Sequence, residues 1–547
     1  MATLSPAPFP TNGLRPLTSK ELMQRAKALN CTLANKNAPS CTGQLNIGIF
    51  FDGTGNNRKL DYESVEPSRR KHSNVVKIFN TYPDRPSEGY FKYYIPGVGT
   101  PFPEIGDSGK NKLGGACAWD GEKRIIWAFT RLLNAPQNYV LKSLLMDDAV
   151  SARFTENIAS VKTLASMRRQ ALNSWQEKLA SNVKGKKPHV ELINLSVFGF
   201  SRGAAEARAF CNWLFEVCNP VSGGWEFAGM PIRVAFLGIF DTVASVGIPN
   251  SFSNTIVEGH QSWADNNMQI HPGIEQCVHF VAGHEVRAAF PLDSVRVGGA
   301  YPGNAREVMY PGAHSDLGGG YPANAVGIAP DITSEIARIP GAQMYKEARL
   351  AGVPVFSWGE LPGHFQADLT VAAQTITEFN AYLKAANIAA GPVERVHQQH
   401  MSLYLSYRYK YRNAIGSLPF YQHASASDKN FIRITTDTFN KRLRQLTGYP
   451  IPPSDEKYNL AEAAARYRKI PETARLKAVA SQQVEQLLTM ADAIDPAKLN
   501  PTIEAFLGNY VHDSMAGFIE MGGWLTNEYN FNGLGILKFR KTFMGND

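Results

Sequence analysis

The chain reads as an α/β protein on a doubly wound, mostly parallel sheet, with a long insertion and a mostly helical C-terminal region. Three observations predict this. Residues 192–198 form an apolar run of strand formers that breaks into Gly199-Phe200-Ser201-Arg202-Gly203 and continues as an alanine-rich amphipathic stretch to about Cys218. That is strand, sharp turn and helix. Further apolar runs at 45–51, 231–240, 276–281 and 307–313 stop at loops carrying Gly, Asp or His, as strand ends in an open α/β sheet do. Helical patterns at about 121–133 and 149–181 lie between them.

Size and composition bound the rest. At 547 residues, 44% hydrophobic, the chain has room for one large domain with an appended one, or for two to four average domains, and can bury a substantial core. No apolar stretch approaches the length of a membrane span. Residues 1–8 lack the basic start and apolar run of a signal peptide, so synthesis in the cytoplasm and exit by a signal-less route are expected. The net charge of +8 favours anionic partners such as acidic lipid headgroups or nucleic acid. The six cysteines (Cys31, Cys41, Cys117, Cys211, Cys218, Cys277) form no CxxC pair, which argues against structural zinc. Cys211 and Cys218 read as buried thiols on one helix; Cys31 and Cys41 alone are placed for a local disulfide, subject to compartment.

Taken in order, residues 1–44 are polar and punctuated by Pro6, Pro8, Pro10 and Pro16, with one short helix near 20–29; they form an arm or docking segment. The strand at 45–51 runs into Asp52-Gly53-Thr54-Gly55-Asn56-Asn57. Such a loop can cradle an anion with backbone N–H groups. No Gly-Lys-Ser/Thr follows, so a Walker-type site is disfavoured, while the second donor of a hydrolase oxyanion hole fits this place in the chain. Asp52 is a candidate acid, although a carboxylate pinning its own turn is the commoner case. Residues 58–188 are the insertion: a turn-rich segment around 93–100, a glycine-rich loop at 106–116, a helix from about 121 to 133, and a long polar helix from about 149 to 181 ending in a solvated basic run at 184–187.

At the elbow, Gly199 and Gly203 are required sterically, because side chains there would collide with the adjoining strand and helix. The turn presents Ser201 as a nucleophile and aims backbone N–H groups at the helix N-terminus towards an oxyanion. Beyond it, the strand at 231–240 ends in Asp241, the strand at 276–281 leads to His284, and the strand at 307–313 ends in His314-Ser315-Asp316 and a glycine-rich loop. Serine alone is a weak nucleophile: His314 would take its proton, with Asp241 fixing the imidazole tautomer and stabilising the imidazolium. The order Ser201, Asp241, His314 is that of α/β-hydrolases. Among rivals, His279, His284 and His189 lie near strands, and Asp316 and Asp293 compete with Asp241; Asp316, two residues past His314, is expected to brace its loop.

Four blocks recur here in register: Phe51-Asp52-Gly53-Thr54-Gly55-Asn56, Gly199-Phe200-Ser201-Arg202-Gly203-Ala204, Gly238-Ile239-Phe240-Asp241-Thr242-Val243 and Pro311-Gly312-Ala313-His314-Ser315-Asp316-Leu317-Gly318-Gly319-Gly320. Together they resemble the α/β-hydrolase domain of type VI secretion lipase effectors over residues 45–325, with weaker matches at 72–75 and 94–100. The resemblance implies Ser201 as nucleophile, Asp241 as acid and His314 as base. It further implies an antibacterial phospholipase, injected into a neighbour's periplasm to cleave membrane glycerophospholipids and restrained in the producer by a cognate immunity protein. A spike or related carrier of the secretion apparatus is the expected vehicle.

Beyond residue 330 those blocks stop. Residues 404–412 interleave Tyr, Arg and Lys, and suit a lipid headgroup region or nucleic acid, although a helix packing its tyrosines into the core is the stronger reading. A break at 448–453, a helical stretch at 460–493 with Leu476, Val479, Val484 and Leu487 as an apolar stripe, and an apolar glycine-rich stretch at 517–525 complete the chain. The expected division is an arm at 1–44, a catalytic domain at 45–330 and a mostly helical region at 331–547. The expected chemistry is an acyl-enzyme at Ser201, with the oxyanion held by the N–H of Arg202 and one from Gly53-Thr54, no metal or cofactor, and no nucleic-acid partner. A soluble esterase or peptidase with the same triad, and a non-catalytic secretion cargo or adaptor, are the alternatives.

Overall fold

The computed structural model describes residues 2–13, 17–30, 42–109, 121–159, 164–244, 262–287, 290–445, 488–517 and 540–545, with 465, 468 and 469. In chain order these give α1 (Ser19–Asn30), β1 (Thr42–Phe51), α2 (Asn74–Thr81), β2 (Tyr90–Ile95), α3 (Gly121–Leu141), α4 (Asp148–Ile158), α5 (Ala165–Val183), β3 (His189–Phe200) and α6 (Arg202–Val217). There follow β4 (Asn219–Val221), β5 (Gly224–Phe227), β6 (Met230–Phe240), β7 (Cys277–Ala282), β8 (Leu292–Ser294), β9 (Ala305–Tyr310), α7 (His314–Gly318) and α8 (Arg338–Leu350). The last are α9 (Gly363–Leu369), α10 (Ala373–Ala386), α11 (Val393–Lys410), α12 (Pro419–His423), α13 (Ala426–Gln445), α14 (Pro501–Tyr510) and β10 (Thr542–Met544).

The main sheet is α/β and doubly wound. β2, β1, β3, β6, β7 and β9 pair in that order, all parallel. The short β4–β5 hairpin pairs antiparallel with the beginning of β6, below the stretch of β6 that meets β7. Because the central strands β1, β3, β6 and β7 are covered on both sides, they read as mostly apolar runs rather than alternating ones. Phe50, Phe198, Phe236 and Phe240 point to one face and pack with α2, α8 and the C-terminal helices; Phe50 stacks on Phe198 with centroids 4.9 Å apart. Ile47, Ile49, Phe51, Val197 and Ile239 point to the other, against α3 and α6. The C-terminal residues Tyr382, Tyr404, Phe506 and Met515 belong to the same buried cluster as Phe198, so this region is a helical layer on one sheet face.

Several expectations need correcting. Residues 58–188 supply the edge strand β2, where the sequence suggests only turns, and a central core helix. That helix, α3, runs on to Leu141 through Pro136, because Tyr139 and Val140 continue its buried face. The long polar helix is two helices, α4 and α5. The tyrosines of 404–412 behave as the core reading expects: Tyr404 and Tyr407 are buried on α11. Cys211, Cys218 and Cys277 are free and buried. Cys31, Cys41 and Cys117, nearly all of the stretch at 460–487, the break at 448–453 and all but the first residue of 517–525 lie outside the described residues. No helix among the described residues is long and apolar enough to cross a membrane.

Candidate active site

β3 ends at Phe200, paired with Phe240 at the end of β6, and Ser201 turns the chain with φ 58° and ψ −125°. For a non-glycine residue this backbone is strained and needs support. Ser201 N–H donates to Phe240 O (2.9 Å), while Val243 N–H donates to Ser201 O (3.2 Å). The two glycines are required by contact. A Cβ on Gly199 would lie 2.5 Å from Gly203 O, and one on Gly203 would lie 2.3 Å from Asp52 O. The elbow therefore sits directly on the end of β1.

Asp241 leaves β6 with φ 41°, its N–H donating to Phe280 O of β7 (2.7 Å). Its carboxylate is fully buried, and its two oxygens have separate tasks. Oδ1 accepts from Ala282 N–H (2.9 Å) and from Arg540 Nη1 (2.7 Å), while Oδ2 meets His314 Nδ1 at 2.5 Å. Burial alone would raise the Asp241 pKa, but the Arg540 charge and the His314 hydrogen bond outweigh it and hold the carboxyl well below the usual carboxylate range. Asp241 is thus ionised, and His314 Nδ1 carries the shared proton, leaving Nε2 to act as a base. His314 opens α7, a one-turn helix where a plain loop is expected. Its ring packs on that of Phe200, next to Ser201, with centroids 4.6 Å apart. Burial depresses its pKa, ahead of the opposing hydrogen bond to Asp241. The structure thus joins His314 to Asp241 and sets its ring against Phe200, the residue before Ser201.

The other sequence candidates divide. Asp52 pins its own turn, with Oδ1 accepting from Gly53 N–H (2.8 Å) and Oδ2 from Tyr94 Oη–H (2.6 Å); burial pushes its pKa up to about 6 against those bonds. This engages the Gly53 N–H, so of Gly53 and Thr54 only the latter has an amide without a hydrogen-bond partner among the described residues. Arg202 Nε donates to Thr54 Oγ1, which ties the β1 loop to the elbow. Asp316 braces the His314 loop through Ala313 N–H (2.9 Å) and also meets His512 Nδ1 at 2.5 Å. His284 accepts from Gly312 N–H at Nδ1 (2.9 Å), with Tyr382 Oη 3.2 Å from Nε2. Burial, then His400 and His397, hold its pKa well below the usual imidazole value, so it supports the loop as a neutral ring. His279 lies in the core between Thr242 and Glu307, His189 is exposed at the far end of β3, and Asp293 accepts from Ala244 N–H (2.8 Å).

Three charged residues around the site escaped sequence reasoning. Glu285 accepts from His314 N–H (3.1 Å) and from Arg287 (Nε, 2.8 Å). Burial would raise its pKa, but Arg287 lowers it to about 2. Arg287 in turn covers Phe290, whose ring stands edge-on to His314. The opposite charges of Glu285 and Arg287 just after a strand are a signal the sequence offers. For Arg540, 299 residues from Asp241, it offers none.

A family model described as the catalytic domain of type VI secretion system Tle1-like phospholipase effectors matches residues 46–218 and 224–347, more than half of the chain and inclusive of Ser201, Asp241 and His314. No curated protein matches. Among solved structures, the crystal structure of an uncharacterized protein from Pseudomonas aeruginosa is similar at TM-score 0.76 and 26% identity, over 100% of this chain and 85% of that one. A structure of the Tle1 effector bound to the VgrG spike from the type 6 secretion system matches at TM-score 0.29 and 24% identity, over 52% of this chain and 53% of that one.

Proposed function

Because the chain belongs to the Tle1-like phospholipase effectors of the type VI secretion system, we propose that it is a serine phospholipase of A type, cleaving acyl esters of membrane glycerophospholipids through Ser201, His314 and Asp241. The observation that carries this reading is the His314–Asp241 contact of 2.5 Å beside a serine on a strained elbow. In the proposed cycle His314 Nε2 takes the Ser201 proton as Oγ attacks the ester carbonyl, and gives it to the departing glycerol oxygen. Asp241 keeps the imidazole oriented and counters its transient charge. The oxyanion is held by backbone N–H groups of Arg202 and Thr54, aimed where charge develops. Water, activated by the same histidine, then releases the fatty acid from the acyl-enzyme.

Family membership makes the protein a secreted lipolytic effector. Its action on a rival bacterium's membrane from the periplasm, a cognate immunity protein in the producer and carriage on a VgrG-type spike belong to this proposal. The net charge of +8 supports docking on an anionic membrane rather than catalysis on a free ester.

Fatty-acid release from phosphatidylglycerol-containing vesicles by the wild type and Ser201→Ala tests it. Wild-type release that falls on the order of 10⁴-fold or more in the variant is expected, and a mixed-chain phospholipid identifies the acyl position. Equal release from both proteins would overturn the mechanism. Turnover of soluble short esters with no activity on vesicles would make the protein an esterase instead.

A further inference from the structure

We propose that Arg540 is a positioning residue for Asp241, and that the segment 540–545 is a working part of the active site rather than a trailing end. The inference rests on the triad reading above and deepens it. Asp241 must present Oδ2 to His314 in one orientation, yet a carboxylate held only at Oδ2 can turn about its own axis. Its Oδ1 is fixed by two donors, Ala282 N–H and Arg540 Nη1. Arg540 is itself anchored, since Nε donates to Phe290 O, the residue whose ring lies edge-on to His314. One guanidinium therefore holds both the carboxylate and the backbone of a wall of the site.

The segment bearing it is built in. β10 pairs parallel with β8, Thr542 opposite Leu292 and Met544 opposite Ser294, and Leu292 N–H donates to Lys541 O (2.8 Å). β8 is tied in turn to the backbone just after Asp241: Asp293 N–H donates to Thr242 O (3.0 Å), and Asp293 Oδ2 accepts from Ala244 N–H (2.8 Å). Arg540 and Phe543 are buried. A strand of three residues, so placed, delivers one charge to one carboxylate.

The charge also sets the basicity of His314. Among the described residues, the titratable and charged groups facing the dyad are His279 on β7, its pKa lowered by burial, Glu285 and Arg287 after β7, His397 on α11 and Arg540. Burial, then Arg540, keeps His397 neutral, its pKa lowered to about 4. With Glu285 paired to Arg287 and Asp241 to Arg540, the buried charges balance while His314 is neutral. Without the Arg540 charge, the dyad carries an uncompensated anion and the imidazole holds its proton to higher pH.

The test uses the full chain with Arg540→Met, which keeps length and apolar bulk, and Arg540→Lys, which keeps the charge. Turnover of a soluble short-acyl ester, its pH profile, and the downfield Nδ1 proton of His314 by NMR, assigned with His314→Ala, are the readouts. Arg540→Met should lower kcat by about 10- to 100-fold with KM little changed and move the acid limb up by about 1 pH unit. Arg540→Lys should restore the limb. Equal losses in both variants with the limb unmoved would reduce Arg540 to packing, and an unaltered Arg540→Met would overturn the proposal outright. Should Arg540→Met fail to fold, the limb and the NMR signal of Arg540→Lys decide: a limb at the wild-type pH and a retained signal sustain the proposal, and a displaced limb or a lost signal ends it. If Ser201→Ala stays active, the triad reading fails, while the titration of the His314 proton still reports on Arg540.

Discussion

Gly203→Ala perturbs the elbow at its tightest point. The added Cβ would stand 2.3 Å from Asp52 O and 2.5 Å from Phe51 O, and both are backbone atoms that cannot swing aside. A carbon meets a carbonyl oxygen comfortably at about 3.3–3.6 Å, so the end of β1 and the start of α6 must separate by about 1 Å. Overpacking of this kind costs about 1–3 kcal/mol. The movement falls between Ser201 and the loop bearing Thr54, where a displacement of ~1 Å costs about 10² in rate. The expected result is a modest loss in urea unfolding beside a loss of about two orders of magnitude in kcat for fatty-acid release. Gly363→Ala is the control, because a Cβ there meets nothing within 4 Å, and it should leave activity intact. A Gly203→Ala protein of wild-type kcat would show that the β1 loop takes no part in catalysis.

Two further outcomes follow from charge. Since burial depresses the His314 pKa despite Asp241, and the base must be neutral to act, activity should persist below the ordinary imidazole value of about 6.5 and fall only as pH drops through the lowered pKa; a kcat/KM profile with its acid limb above that value would contradict this. On α11, Arg408 is buried against Asp513 at 2.6 Å, and Asp513 also accepts from Thr435 (2.7 Å). Asp513→Asn strands a buried cation and should cost about 3–5 kcal/mol in urea unfolding, with Arg408→Met/Asp513→Leu recovering most of it.

What the sequence disclosed follows from how each feature is encoded. β1, β6 and β7 are buried on both faces, so Ile47, Val234 and Val278 sit in predominantly apolar runs that can be read locally. β2 is an edge strand carrying Lys92, whose ammonium reaches Phe79 O and Tyr82 O; its polar residue and the following Pro96 look like a turn until those carbonyls are in place. The same contrast divides the site. Ser201, Asp241 and His314 each follow a strand, and the elbow glycines mark one of them. Glu285 and Arg287 leave only a local charge signal after β7, whereas Arg540 acquires its meaning by tertiary contact alone, on a segment whose strand character depends on β8. The long polar helix misled because residues 159–164 carry no proline or glycine to mark a break between α4 and α5.

The register of the parallel sheet explains how residues so far apart in sequence meet. One bond recurs along its carboxyl rim: the amide just beyond a strand donates to a carbonyl at or near the end of the neighbouring strand. Asp52 donates to Ile95 O (3.0 Å), Ser201 to Phe240 O (2.9 Å), Asp241 to Phe280 O (2.7 Å) and Gly283 to Tyr310 O (2.8 Å). Each bond extends the ladder by one step past the strand end, into residues that are free to leave the extended conformation. Ser201 and Asp241 use that freedom at positive φ, at a cost of order 1–3 kcal/mol each, and the rim bonds keep the strained residues from relaxing. A slip of one residue between β3 and β6 would turn Phe200 and Phe240 to the opposite faces and carry Ser201 away from Asp241. The same side chains that fill the core therefore also fix where the nucleophile and the acid stand.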